Sequence, residues 1–156
     1  MKSKEEDLLN CPSANCSPAE VEGLFQGMPL TVGHPEQISP AALAYLGDAV
    51  YELYVRSLYL LPPKRSQAYH RLVVAQVRAE AQALHLRLLT PYLNNIELEV
   101  VRRGRNATIN RPKRVDPEIY QQATSLEALM GYLYLSDSRR LTELLQKLKL
   151  DPTLEK

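Results

Sequence analysis

The chain has 156 residues, 45% hydrophobic and 24% charged, with a formal net charge of +1 at pH 7, the balance of one globular domain with a tail. No apolar run approaches the ~18 residues that span a bilayer. The only cysteines, Cys11 and Cys16, exclude a disulfide scaffold and a four-ligand zinc site, and Gly is too scarce for a Gly-rich phosphate loop.

The charge is unevenly spread. Residues 1–38 set two lysines against six acidic side chains, and the remainder sets 17 basic against 12 acidic. A basic body suits an anionic partner. The N-terminus MKSKEEDLLN places acidic residues where a secretory signal is apolar, so a cytoplasmic protein without a membrane partner is expected. Residues 1–38 read as a poorly ordered leader, broken by Pro12, Pro18, Pro29 and Pro35, with a single helical turn expected near Ser17–Gln26.

The folded part, 39–150, begins at Ser39-Pro40, a hydroxyl cap followed by a proline that presets the helical φ. This predicts a helix to about Leu61, stopped by Pro62-Pro63. A second helix is expected over Ser66–Leu89 with the stripe Tyr69, Val73, Val77, Ala81, Leu84 and Leu88. A third is expected from Pro91 to about Arg103, followed by a loop over Gly104–Val115. Asp116-Pro117-Glu118 restarts a helix to about Leu135. Ser136-Asp137-Ser138 caps a last helix with the stripe Leu141, Leu144, Leu145 and Leu148, and residues 151–156 form a tail. No alternating strand pattern occurs, so the fold class is all-α.

Two helices carry carboxylates in apolar surroundings. The first is apolar almost all round, yet holds Gly47-Asp48. A helical Gly costs about 1 kcal/mol relative to Ala, and a buried carboxylate costs several kcal/mol unless it is paired. Glu52 shares a face with Asp48 and is relieved by Arg56, four residues on. Asp48 then needs a cation of its own, either a basic side chain or a metal. On the fourth helix Tyr120, Thr124, Glu127 and Gly131 form one stripe. The ordinary reading of each carboxylate is a buried ion pair with Arg or Lys. Two such helices, each with a Gly beside the acid, suggest instead that the glycines bring the helices together and that Asp48 and Glu127 converge. Two carboxylates plus substrate phosphate oxygens are how Mg²⁺ is usually held.

Residues 101–115 hold six basic side chains and no acidic one: Arg102, Arg103, Arg105, Arg111, Lys113 and Arg114, with Asn106 among them. A solvated charge run and a phosphate-contacting surface both fit this pattern. His34, His70 and His85 have no ligand spacing and read as surface or packing residues. The first helix has more apolar surface than one core covers, so some of Tyr45, Leu46, Leu53 and Tyr54 are expected to pack against a partner or against several helices at once.

Leu43-Ala44-Tyr45-Leu46-Gly47-Asp48-Ala49-Val50 resembles the signature helix of the ribonuclease III family, and Leu126-Glu127-Ala128-Leu129-Met130-Gly131 resembles its second catalytic helix. Ala41 and Ala44 stand where the family has glutamates, and Thr124 stands where it has aspartate. These departures, with Val101-Arg102-Arg103-Gly104-Arg105-Asn106-Ala107 and no room for a double-stranded-RNA-binding domain, resemble the Mini-ribonuclease III subfamily. The resemblance implies a homodimeric endonuclease-domain fold with the first helix at the two-fold interface, which places Tyr45 and Leu46 at or near that interface. It also implies Mg²⁺-dependent (or Mn²⁺-dependent) cleavage of double-stranded RNA to 5′-phosphate ends, with the 23S ribosomal RNA precursor as substrate. Asp48 and Glu127 match the indispensable metal-binding, catalytic carboxylates. The alternative is a non-catalytic dimer of the same fold that binds structured RNA in a ribosomal particle.

Overall fold

The structure is a computed structural model and describes residues 32–107, 114–148 and 150. Most of the expected leader, the expected turn near Ser17–Gln26 and the tail 151–156 lie outside the described residues. Six α-helices are described: α1 (Pro40–Tyr59), α2 (Ser66–Val77), α3 (Ala79–Leu89), α4 (Asn95–Arg105), α5 (Pro117–Ser136) and α6 (Ser138–Lys147). Short 3₁₀ turns cover Pro35–Gln37 and Thr90–Tyr92. The described residues contain no strand, as the all-α expectation requires.

The helix starts follow their caps. Ser39 is extended and its hydroxyl accepts from the Ala42 amide at 3.2 Å. Asp116 Oδ1 accepts from the Glu118 and Ile119 amides, at 2.8 and 3.3 Å. Asp137 Oδ1 accepts from the Arg140 amide at 3.0 Å. Each satisfies donors that the first helical turn leaves unpaired.

α5 is the central helix, packed against α1, α3, α4 and α6. Its residues Ala123 to Met130 are buried, except Glu127, which is half-buried, and so are Gly131 and Leu133. Leu126, Leu129, Met130 and Leu133 meet Val50, Tyr51, Tyr54 and Val55 of α1 in one core. Leu141, Leu144, Leu145 and Leu148 close that core from α6, the stripe expected from their spacing.

Three boundaries differ from the sequence reading. The expected single helix Ser66–Leu89 is two, because Arg78 adopts an extended conformation (φ −67°, ψ 154°). The break shifts the register of everything after it. Val73 stays buried, but Leu84 and Leu88 are about half exposed, and the inward face of α3 is Gln82, Ala83, His85, Leu86 and Leu89. The expected third helix starts at Asn95 rather than Pro91. Asn94 and Glu97 form a reciprocal capping box there, with both bonds 2.9 Å long. Gly104 is inside α4 and not in a loop. A Cβ on it would lie 2.9 Å from the Ala128 Cβ and 3.0 Å from the Ser125 Cα, so this Gly lets α4 lie close on α5.

α6 is tied to α4 by an ion pair. Glu97 is 2% exposed, and Arg140 donates to its two oxygens at 2.7 and 3.1 Å. Arg140 also donates to Glu143 at 2.8 Å and to the Tyr92 carbonyl at 2.7 Å. Burial alone would raise the Glu97 carboxyl, but the Arg140 hydrogen bonds and the Asn94 amide together hold it below its ordinary range. Replacing Arg140 by Met leaves Glu97 buried without a cation. The expected loss is about 3 kcal/mol, read as a lower midpoint in thermal or urea unfolding.

Candidate active site

Gly47 and Gly131 set the distance between α1 and α5. A Cβ on Gly47 would fall 1.7 Å from the Glu127 carbonyl oxygen, and a Cβ on Gly131 would fall 2.0 Å from the Leu43 carbonyl oxygen. The helices therefore touch backbone to backbone, which only residues without a Cβ permit. Asp48 follows Gly47 on α1, and the carbonyl packed on Gly47 belongs to Glu127. The glycine contact brings the two carboxylates into one electrostatic neighbourhood, as their placement beside glycines implied.

Glu127 is half-buried and Asp48 is open to solvent. Burial first, and then the charge of Asp48, push the Glu127 carboxyl up to about 7, with the polar Gln82 side chain acting in the opposite direction. Asp48 is also raised, by desolvation and by Glu52. Glu52 is held by Arg56, whose Nε donates to it at 2.9 Å, as the spacing of four predicts. Among the described residues neither Asp48 nor Glu127 has a basic partner, so no ion pair within them accounts for either carboxylate. No group of three or more His, Cys, Asp and Glu side chains converges among the described residues. The pair offers hard oxygen donors and uncompensated negative charge, a donor set for a hard divalent cation.

Ala44 and Thr124, at positions where the resembling family carries carboxylates, are buried at 1% and 3% exposure. Thr124 faces the α4 contact, where its carbonyl lies 3.5 Å from the position of a Gly104 Cβ.

The basic segment divides into separate roles. Arg102 is paired with Glu99, at 2.8 and 2.6 Å. Arg103 donates to the carbonyls of Glu36 at 2.8 Å and Ile38 at 3.3 Å, anchoring the chain that leads into α1. Arg105, Asn106 and Arg114 are exposed, and Arg111 and Lys113 lie outside the described residues. On α1, Tyr45 is 86% exposed and Leu46 is half-buried. With Ala42, Ala49 and Leu53 they form a solvent-facing strip beside Asp48.

Gln82 was missed by sequence reasoning. It sits on the inward face of α3, 2% exposed, at a register that the uninterrupted helix does not give. His85, read as surface or packing, is buried, with its Nδ1 2.5 Å from the Tyr51 hydroxyl, and its burial holds its pKa below the ordinary value.

The Ribonuclease III domain family matches residues 41–138, which span both glycines and both carboxylates. The Mini-ribonuclease 3 of Synechocystis sp. is 59% identical over 115 residues, covering 74% of this chain and 80% of the relative. The Mini-ribonuclease 3 of Symbiobacterium thermophilum is 45% identical over 120 residues, covering 75% of this chain and 92% of the relative. The chain belongs to the ribonuclease III family. It is an endoribonuclease of the Mini-ribonuclease 3 type. The fold of this ribonuclease III chain also matches the X-ray crystal structure of a Fusobacterium nucleatum protein. The TM-score is 0.66 and the identity 29%, with 70% of this chain and 91% of that chain covered. Among the described residues, no helix of this ribonuclease III domain is long and apolar enough to cross a membrane.

Proposed function

We propose that the chain is a Mg²⁺-dependent endoribonuclease that cuts double-stranded RNA, with the 23S ribosomal RNA precursor as its substrate. The observation that carries this reading is the pair of carboxylates, Asp48 and Glu127, held together by Gly47 and Gly131 without a basic partner among the described residues. The pair fits Mg²⁺, which binds through one or two carboxylates and substrate phosphate oxygens and keeps much of its water; Mn²⁺ fits the same oxygens. A divalent cation bound there supplies an activated water and neutralises charge at the scissile phosphate. The chain's own part is to hold two charged oxygen donors in a fixed relation on rigid helices. Incubating the purified chain with a duplex RNA, with and without Mg²⁺, and mapping the ends on total RNA tests the proposal. Cleavage without divalent cation, or cuts confined to single strands, overturns it.

The basic surface proposed for the RNA backbone is Arg105, Asn106 and Arg114, continued by Arg111 and Lys113. Arg102 is already paired with Glu99 and Arg103 with backbone carbonyls. Replacing Arg105 and Arg114 by Ala is therefore expected to weaken RNA binding and to flatten its salt dependence by about 0.7–0.9 per lost phosphate contact. Arg103→Ala is expected to lower the unfolding midpoint and leave that slope unchanged. Filter binding at several salt concentrations separates the two.

A duplex has two strands, and one carboxylate pair cuts one of them. The proposed assembly is a homodimer through the strip around Tyr45 and Leu46, which puts a second site opposite the first. Tyr45→Asp places a charge in that interface and is expected to give a monomer in sedimentation that no longer makes paired cuts. A Tyr45→Asp chain that stays dimeric and cuts both strands removes this interface from the proposal.

A further inference from the structure

We propose that Arg78, at the elbow between α2 and α3, binds a phosphate of the RNA strand that is cut at Asp48 and Glu127. The proposal rests on the reading of that carboxylate pair as the cleavage site.

Hydrogen bonds fix where the elbow lies. Near the start of α2, the Tyr69 hydroxyl donates to the Arg56 carbonyl at 2.6 Å. Near its end, the Gln76 carbonyl accepts from the Tyr51 hydroxyl at 3.3 Å. α2 therefore runs antiparallel to α1, and its last turn lies toward the end of α1 that carries Asp48. A groove runs between the two helices, with Glu52 and Arg56 on the α1 side and Tyr69, Val73 and Val77 on the α2 side. Each side advances by four residues, one helical turn at a time. One turn before Glu52 the α1 side reaches Asp48, and in the antiparallel register the α2 side has then reached Val77. Arg78 follows Val77, so the elbow stands at the Asp48 end of the groove.

The backbone of the elbow is held, and its side chain is not engaged. The Arg78 amide donates to the Val74 carbonyl at 3.2 Å, and its carbonyl accepts from the Gln82 amide at 3.0 Å. On the α3 side, His85 Nδ1 lies 2.5 Å from the same Tyr51 hydroxyl that holds Gln76. Both arms of the elbow are thus tied to α1 three residues after Asp48. Arg78 is exposed, and among the described residues no hydrogen bond or ion pair takes its guanidinium. Other arginines of the domain are committed: Arg56 to Glu52, Arg87 to Gln122, Arg102 to Glu99 and Arg140 to Glu97.

Residues 53–79 hold Arg56, Lys64, Arg65, Arg71 and Arg78 and no acidic side chain. The elbow therefore presents positive charge at the edge of a site whose own charge is negative. A guanidinium bonded to Asp48 or Glu127 would neutralise the donors that a cation needs. One held at the edge and unpaired is left for a phosphate brought to that cation. Its planar fork bonds two phosphate oxygens at once, and a fixed positive charge beside a reacting phosphate lowers the barrier to cleavage.

The test compares the wild type with Arg78→Ala, Arg78→Gln, Arg78→Lys, Arg65→Ala and Glu127→Gln. Duplex-RNA binding is read by filter binding at several salt concentrations without divalent cation, cleavage by single turnover at saturating RNA with Mg²⁺, and folding by thermal melting. Position 78 has an extended backbone that Ala, Gln and Lys also adopt, so its variants are expected to melt with the wild type. Arg78→Ala and Arg78→Gln are expected to flatten the salt dependence of binding by about 0.7–0.9 and to slow cleavage at least about tenfold. Arg78→Lys is expected to keep the salt dependence and to recover only part of the rate, because an ammonium lacks the fork. Arg65→Ala, at the other end of α2, is expected to cut at the wild-type rate. An Arg78→Ala or Arg78→Gln chain that folds and cuts at the wild-type rate overturns the proposal, whatever its salt dependence. So does an equal loss of rate in Arg65→Ala, which makes the effect one of general charge, and so does a loss of rate that only follows loss of folded protein. If Glu127→Gln is inactive while the neutral Arg78 variants cut normally, the carboxylate reading stands and Arg78 alone is removed. A Glu127→Gln chain that still cuts removes both.

Discussion

Glu127→Gln is expected to abolish cleavage and, in the metal-free protein at pH 8, to raise stability. The two effects share one cause. In the folded chain, burial and Asp48 push the Glu127 carboxyl from 4.5 to about 7. A carboxyl raised by folding contributes stability that is fully present below its unfolded value and is lost as pH rises through the folded value. Metal-free stability is therefore expected to fall between about pH 4.5 and 7. Glu127 is partly open to water, so the full shift is discounted and the loss is on the order of 2 kcal/mol. Gln removes both the desolvated charge and the repulsion with Asp48, which flattens the pH dependence and stabilises the chain above pH 7. The same change removes a proposed metal ligand, and the single-turnover rate should drop by at least about a thousandfold, which corresponds to several kcal/mol of lost transition-state stabilisation. Asp48→Asn should act in the same direction on rate and more weakly on stability, because burial outweighs Asp48 in raising Glu127. Rates at saturating RNA and melting curves at pH 5 and pH 8 check both. A Glu127→Gln chain that still turns over removes the catalytic assignment, and one that unfolds restores the structural ion-pair reading.

Features that depend on neighbours in sequence were legible before the structure. Ser39-Pro40, Asp116-Pro117 and Asp137 mark helix starts because a cap and its amide lie within three residues. The α6 stripe was legible because a short helix with one buried side repeats its apolar residues by three and four. The approach of α1 to α5 was legible for a different reason. Gly47 and Gly131 each break local helix preference beside an acid, and a shared cause explains both breaks more simply than two separate ones. Features that depend on distant partners were not legible. Nothing around Arg78 is Gly or Pro, so the break in Ser66–Leu89 has no local mark, and without it Leu84 and Leu88 read as core and Gln82 is not singled out. Arg103 looked like any other member of a basic run. Its guanidinium is spoken for by carbonyls more than sixty residues earlier in the chain, and no local pattern reports that. Gly104 followed two arginines and preceded a third, which reads as the edge of a loop, while its actual constraint is the Ala128 side chain on α5.

Gly47→Ala is expected to be the most disruptive single-methyl change in the domain. In an isolated helix Ala is better than Gly by about 1 kcal/mol, so local preference predicts a gain. The contact predicts the opposite. The added Cβ would lie 1.7 Å from the Glu127 carbonyl oxygen and 2.6 Å from the Gly131 amide nitrogen. Both are backbone atoms of a helix and cannot swing aside as a side chain would. Ordinary carbon contacts are about 3.5–4 Å, so α1 and α5 must separate, and Val50, Tyr51 and Tyr54 lose their fit against Leu126, Leu129 and Met130. Overpacking a close-packed interior costs about 1–3 kcal/mol when side chains can adapt. Here the backbone has to move, so a net loss of about 3 kcal/mol or more is expected, large enough to leave much of a marginally stable chain unfolded at 37 °C. Gly131→Ala should behave alike, since its Cβ would lie 2.0 Å from the Leu43 carbonyl oxygen. Gly33→Ala is the control, because nothing lies within 4 Å of that Cβ. Circular-dichroism melting of the three variants checks this, and a Gly47→Ala chain that melts with the wild type would mean that the helices are not held at backbone contact. Any Gly47→Ala protein that folds is expected to bind Mn²⁺ poorly and to cleave slowly even though every carboxylate is present. The contact that fixes the core also fixes the distance between Asp48 and Glu127, and widening it by about an ångström disturbs a site that depends on holding both donors in place.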